Sequence, residues 1–244
     1  LFPYTTLFRS SMSGQEEISR LFEYQVVAVS EDRNIAAADL LGKPMGVSLD
    51  LGGGRTRWFH GIAAAFGLDG SDGRQFRYRI TMRPWTWLLS RSADIRIFQD
   101  QSVPDIVQSV FAEYQGQVKL ELQGSYEPRR YCVQYRESDW DFASRLMEEE
   151  GICYYFVHGA DKAKLVVTNQ PKSYPDVPAP NEVLFRPSKD QEPGIVKSWE
   201  RAQSIVTGQV TLWDHCFEMP GQNYESKVKV LTSVAAGTKQ HALT

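Results

Sequence analysis

The stretch Tyr131 to Asn169, YCVQYRESDWDFASRLMEEEGICYYFVHGADKAKLVVTN, constrains the fold more than any other, because strand, capped-helix and hairpin signals follow one another without a gap. Ser138 precedes an apolar-periodic run and Asp141 lies three residues on, a capping-box-like pair that satisfies free N–H groups at a helix start. The spacing predicts a helix from there to Gly151. Trp140, Ala143 and Met147 fall on one side with Phe142 and Leu146 beside them, making one apolar stripe. Asp139 and Asp141 sit at the positive end of the helix dipole. Glu148, Glu149 and Glu150 sit at its negative end, where carboxylates are unfavourable unless Arg145 or a neighbouring segment pairs them, so a partner for that triplet is expected. Gly151 suits the left-handed conformation that ends helices. Ile152 to His158 then has strand composition, Gly159 to Lys162 turns the chain, and Lys164 to Thr168 returns as the second strand of a hairpin.

Arg129 followed by YCVQYRESDWDF, SRLMEEEGI and YYF resembles the signature of the VgrG proteins, the valine-glycine-repeat spike proteins of bacterial type VI secretion, which are related to the baseplate hubs of contractile phages. The resemblance rests on Tyr131, Tyr135, Arg136, Asp139, Asp141, Phe142, Arg145, Leu146, Glu148, Glu149, Gly151, Tyr155 and Phe156, and these residues look mainly structural. It extends more weakly through FEYQVVAVSED, LLGKP, MRPWTWLLS, IRIFQDQSVPDIVQSVF and IVKSWERAQSIVTGQVTLWD, from about Ile18 to the end of the chain.

Outside the signature the strongest pattern is Phe76, Tyr78, Ile80 and Met82 alternating with polar residues, a half-buried antiparallel strand. Phe22, Tyr24, Val26 and Ala28 form a second such face, Val47, Leu49 and Leu51 a third, and Thr56 to Phe66 a strand after the Gly52–Gly54 turn. Ile35 to Leu41 and the WTWLL after Pro84 read as short helices. A longer one between Ser102 and Gly116 carries a stripe of Val103, Ile106, Val107, Val110, Phe111 and Tyr114, which the signature unit is placed to cover. Six of the 12 prolines lie between Pro171 and Pro193, marking an extended connector. Ile195 to Arg201, Val206 to Leu212 and Lys227 to Thr232 again read as strands. Ile205, Trp213 and Val27 lie opposite the other apolar residues of their strands, as at a subunit interface or under a helix of the same chain.

The fold class is therefore α+β, and the resemblance implies two small antiparallel β-barrels flanking a helical and hairpin insertion. The expected organisation is a leader outside the family over residues 1–15, a first barrel over 16–90, a helix and hairpin region over 91–170, a connector over 171–194, and an incomplete second barrel over 195–244.

Charge and chemistry narrow the function. Lys plus Arg is 27 against 30 for Asp plus Glu, so no general attraction to nucleic acid or an anionic membrane is expected. No run approaches the ~20 apolar residues of a membrane span. LFPYTTLFRS lacks the basic start of a secretory signal, and Cys132, Cys153 and Cys216 fit reduced thiols better than a disulfide framework. Asp139, Asp141 and Glu148 to Glu150 could act as general acid and base, though each has an adequate task in capping or ion pairing. Cys153 with His158 lie on opposite strand faces, and His215 beside Cys216 diverges likewise, so neither pair chelates a metal locally. Gly52 to Gly54 lead into a strand rather than a helix, which fits a hairpin and not a phosphate loop. Arg77, Arg79 and Arg83, with Arg74 near, read as a solvated or ion-paired sheet face.

No catalytic, cofactor or metal residue is assigned. By resemblance, the chain is the structural base of a homotrimeric spike, docking on a hexameric tube protein and the baseplate and carrying effector proteins. It would be made in the bacterial cytoplasm and exported by type VI secretion without a signal peptide. The chain stops before the neck and needle of longer family members, which suggests a fragment. A hub of a phage-like contractile tail is the alternative of the same class, and a carbohydrate hydrolase using the acidic cluster the alternative of another.

Overall fold

Alternation in the sequence becomes register in the structure. The computed structural model describes residues 8–52, 54–71, 73–114, 117–170, 184–186, 195–196, 198–201 and 207–229. Five antiparallel strands, β1 (Phe8–Gln15), β2 (Glu23–Ser30), β3 (Pro44–Gly52), β4 (Arg55–Ser71) and β5 (Phe76–Arg83), form one sheet in the order β1-β2-β5-β4-β3. Tyr24 faces Met82, Val26 faces Ile80 and Ala28 faces Tyr78, so the two alternating apolar sets share one buried face. Met45, Val47, Phe59 and Ala63 extend that face across β3 and β4, and Leu40 closes it. A one-residue slip would turn every one of these side chains to solvent, which is why the register is well specified. Irregularities at Ala63/Ala65 and Leu68/Ser71 in β4, and at Asp50/Gly52 in β3, bend the sheet. Gly61 lies where a Cβ would stand 2.5 Å from the Arg83 carbonyl oxygen, so only glycine admits the end of β5 there.

The next core is helical. The 3-10 turn Trp85–Arg91 leads into β6 (Ala93–Phe98), followed by α1 (Val103–Ala112), β7 (Val118–Glu121), β8 (Cys132–Ser138), α2 (Asp139–Glu149), β9 (Cys153–His158) and β10 (Ala163–Thr168). The α1 stripe meets that of α2: Ile106, Val107, Val110 and Phe111 share a core with Trp140, Phe142, Ala143, Leu146 and Met147. Behind them β7, β10 and β9 form a sheet in which β7 runs parallel to β10, and β6 pairs with β8 as a separate ribbon. Both helices start on a serine whose Oγ accepts from the amide three residues on: Ser102 from Asp105 N–H and Ser138 from Asp141 N–H. Gly151, at φ 66°, provides the left-handed exit after α2, and the Ile152 amide reaches back to the Met147 carbonyl at 2.8 Å.

These two cores belong to one compact unit, Leu1–Asn181; Glu182–Thr244 form another. In the latter, β11 (Gln209–Leu212) pairs antiparallel with β12 (Ser226–Lys229), and Phe185 and Val196 make an isolated parallel bridge. Trp199, Trp213 and Phe217 are exposed within it.

Several expectations change. Phe8 to Gln15, placed in a leader, pair with β2 as an edge strand, because the chain folds back in antiparallel register with Val29 to Glu23. Of the two barrels, the described residues show one bent open sheet, whose edges are β1 and β3, and one two-stranded hairpin. The expected helix at Ile35 to Leu41 is only the 3-10 turn Ala37–Asp39, and α1 ends at Ala112, before Gly116. Residues 171–183, Ile205 and Val206 lie outside the described residues, as do residues 230–232 of the last expected strand. Val27 is half-buried and Trp213 is exposed.

Candidate functional site

The signature residues lie on or immediately beside β8, α2 and β9. Asp139, the first residue of α2, is completely buried. Its Oδ2 accepts from the Tyr114 hydroxyl at 2.7 Å and faces Arg96 Nη2 at 3.4 Å, while Oδ1 accepts from Gln134 Nε2 at 2.8 Å. Its own amide donates to the Ser92 carbonyl at 3.0 Å. One carboxylate thus ties the turn after α1, β6, β8 and the start of α2 together. A buried charge is tolerable only with such partners, since desolvating a carboxylate alone costs several kcal/mol. Burial, despite hydrogen bonding to Ser92, helps push the Tyr114 hydroxyl above its ordinary value; with Asp139 nearby the phenol stays protonated and donating.

The rest of the acidic set is paired at the surface. Asp141 accepts from the Ser138 hydroxyl at 2.7 Å, closing the cap. Arg145 donates to Glu137 at 2.7 Å and to Glu149 at 3.1 Å, and lies 5.5 Å over the Phe142 ring. Hydrogen bonding to Glu137 is the chief reason its guanidinium is held firmly protonated. Arg129 spans Glu149 at 2.6 Å and Glu150 at 2.8 Å, supplying the partner expected for the triplet, while Glu148 is exposed. Partial burial pushes the Glu149 carboxyl up, but hydrogen bonds from Arg129 and Arg145 outweigh it and leave the group below the ordinary value.

The other signature residues divide between core and surface. Phe142 and Leu146 are fully buried, and Phe142 stacks on Phe98 at 5.7 Å between ring centroids. Tyr155 and Phe156 are half-buried on β9, with Tyr155 opposite Val166 and Phe156 opposite Leu165. Tyr131 and Tyr135 are exposed, and Arg136 lies 5.1 Å over the Tyr135 ring. Arg136 has φ 54°, because β6 and β8 fall out of step there: Asp94 faces Glu137 and Arg96 faces Gln134, leaving Tyr135 and Arg136 in a bulge.

Other candidates separate. Arg77 and Arg79 pair with Asp69, and Arg83 with Glu23, as an ion-paired sheet face. Among the described residues no group of three His, Cys, Asp or Glu is placed to hold a metal ion. Sequence reasoning missed Arg96, Tyr114 and Gln134 as partners of Asp139. Only Gln134 left a trace, a polar residue two after Cys132 on the buried face of β8. It also missed the junction between the two cores. There the Ser19 amide donates to the Tyr154 carbonyl at 2.8 Å, and Phe156 meets Phe22 edge-on at 5.0 Å.

Comparison with known proteins places this architecture. The profile of the phage tail baseplate hub (GPD) family matches residues 15–243. The type VI secretion system spike protein VgrG1a of Pseudomonas aeruginosa is 40% identical over 238 residues, covering 94% of this chain and 36% of that protein. The actin cross-linking toxin VgrG1 of Vibrio cholerae is 31% identical, over 92% of this chain and 21% of its own length. The chain thus spans about a third or less of these relatives. Among solved structures, the E. coli c3393 protein matches with a TM-score of 0.66 and 26% identity, over 77% of this chain and 51% of that one. It is described as a type VI secretion component resembling the bacteriophage T4 tail proteins gp27 and gp5. A tail protein from Neisseria meningitidis shares the fold alone, at a TM-score of 0.53 and 15% identity. With the family profile running through the sheet, both helices and the hairpin, this chain belongs to the phage tail baseplate hub (GPD) family.

Proposed function

We propose that these residues form the structural base of a type VI secretion spike, a scaffold that turns over no substrate. One observation carries the reading: within the signature, Asp139, Asp141, Glu149 and Glu150 are all bonded to side chains of the same unit. A glycoside hydrolase needs two carboxyl groups facing one cleft across roughly 5 to 9 Å. Asp139 is sealed from solvent and the glutamates lie at the far end of α2, held by arginines, which speaks against the hydrolase alternative. The relatives named as spike proteins support the scaffold role.

In this reading the signature residues are fasteners. The longer protein is a homotrimer with two barrels per chain, giving pseudo-sixfold symmetry toward a hexameric tube protein and threefold symmetry toward a needle. Baseplate and effector proteins are further partners, and export proceeds from the bacterial cytoplasm through the secretion machine. Residues 16–90 and 195–244 contribute to the two barrels, and 91–170 form the insertion between them.

Light scattering on the longer protein that carries these residues tests the proposal, with a trimer expected and a stable dimer counting against it. The phage-like tail hub differs in its partners, so co-purification with the type VI tube protein separates the two. A second arm replaces Asp139, Asp141 and Glu148 to Glu150 by amides: loss of a measured glycosidase activity in a still-folded chain would overturn the scaffold reading.

A further inference from the structure

The strands of the sheet end at Arg83 and the helical core begins at Trp85, so within residues 8–170 the chain crosses between the two cores at Pro84. Contact across the crossing is sparse. Among the described residues, Phe156 is the one side chain that packs against both apolar clusters. A cavity of about 210 Å³ lies between Pro44 and Ile62 of the sheet and Trp85, Lys162 and Ala163 of the helical core. Close-packed interiors leave few gaps of that size, so the two cores are not fused into one.

The loop between β1 and β2, Glu16 to Phe22, reaches across. Glu16 Oε1 lies 3.1 Å from Nε2 of His158 at the end of β9. At the tip of the loop Ser19 has φ 57°, the left-handed region that few residues other than glycine adopt. Turned that way, its amide donates to the Tyr154 carbonyl at 2.8 Å and its Oγ accepts from the Tyr154 amide at 3.4 Å. On the way back Leu21 packs against the helical cluster, and Phe22 enters the sheet cluster edge-on to Phe156 at 5.0 Å. β9 is the outer strand of the β7-β10-β9 sheet, so the outward N–H and C=O of Tyr154 face no strand, and the loop takes that place.

We propose that this loop is a clasp: closed, it holds the helical core against the sheet in one orientation, and its release lets the two swing about Pro84 as separate rigid bodies.

Two fixed points are needed to set an orientation, and the loop supplies the second. The first is the His60 amide, which donates to Nδ1 of His158 at 2.9 Å and by itself leaves rotation about that bond open. The grip of the loop is thin, since Glu17, Ile18, Ser19 and Arg20 are all exposed. Lifting it breaks the pair of bonds to Tyr154 and no strand ladder, which places the opening at the low end of local unfolding free energies. Neither apolar cluster depends on the tip, so both cores persist on either side of a short hinge.

The test is residual dipolar couplings on the whole chain, measured for the amides of β2, β5, α1 and α2. In the wild type one alignment frame should fit all four elements. Ser19→Pro removes the donor and fixes φ near −65°, so the sheet and the helices should each still fit a frame of their own while no common frame fits both. Ser19→Gly keeps the amide and the positive φ and should hold the common frame, with the Tyr154 amide exchanging up to about tenfold faster for loss of the Oγ acceptor. A common frame in Ser19→Pro, or two frames in the wild type or in Ser19→Gly, overturns the clasp. If Ser19→Pro does not fold, hydrogen exchange in the wild type decides. The Ser19 amide must then be at least about tenfold less protected than those of Ile80 and Leu146 and insensitive to low denaturant, as local opening requires. Protection that falls with denaturant as steeply as theirs refutes the proposal.

Discussion

The two cores of residues 8–170 solve the same burial problem by different means. The sheet excludes water with two facing rows of apolar side chains, Tyr24, Val26 and Ala28 against Met82, Ile80 and Tyr78, and keeps its charges outside, where Arg77 and Arg79 meet Asp69. The helical core also buries Phe142, Leu146 and Met147, but adds a sealed carboxylate, Asp139, with Arg96, Tyr114 and Gln134 around it. Apolar contact is non-directional, so the sheet takes its register from the alternation of whole strands, whereas a hydrogen-bonded buried charge fixes the geometry at a single point.

Deleting the buried Phe142 ring should have the largest effect: Phe142→Ala is expected to cost about 3–5 kcal/mol in urea unfolding, through lost contacts and the cavity left behind. Asp139→Ala tests the other half of the comparison. It strips partners from Arg96, Tyr114 and Gln134 at once and should cost about 3 kcal/mol, with Asp139→Asn milder because the amide still accepts from Tyr114. If Asp139→Ala costs no more than an exposed substitution, the buried network is ornamental and the two cores are alike. Ser138→Ala removes the helix cap and should cost about 1 kcal/mol. The smallest effect belongs to Glu149, whose carboxyl is held below its usual value. Its contribution is present above the ordinary glutamate value and lost as pH falls through the lowered one. Because the side chain is well exposed, Glu149→Gln should remove only a few tenths of a kcal/mol, visible as a slightly shallower acid limb of the stability profile.

What the sequence disclosed follows the same division. Period-two alternation at Phe76 to Met82 and the two Ser-x-x-Asp caps are local signals, and they found β5, α1 and α2 close to their observed bounds. The Arg145 pairing was legible because helical spacing places it next to Glu149. Arg96 and Tyr114 were not, since their sequence distance from Asp139 is bridged only by the fold. The β6 and β7 strands were missed because each pairs with a strand far along the chain, β6 with β8 and β7 in parallel with β10, leaving no hairpin signal. The open sheet with Phe8 to Gln15 on its edge was missed for a similar reason: FRSSMSGQ has no apolar alternation to mark it as a strand.

The contact of Phe156 with both apolar clusters sets an order of events during synthesis. A ribosome delivers all five strands of the sheet well before the segment that caps them, so Phe22 and its neighbours wait with one flank wet until residue 158 has left the exit tunnel. Over that interval, some seconds at ordinary translation speeds of about 5–20 residues per second, the nascent chain displays a greasy margin that invites chaperones or a second unfinished copy.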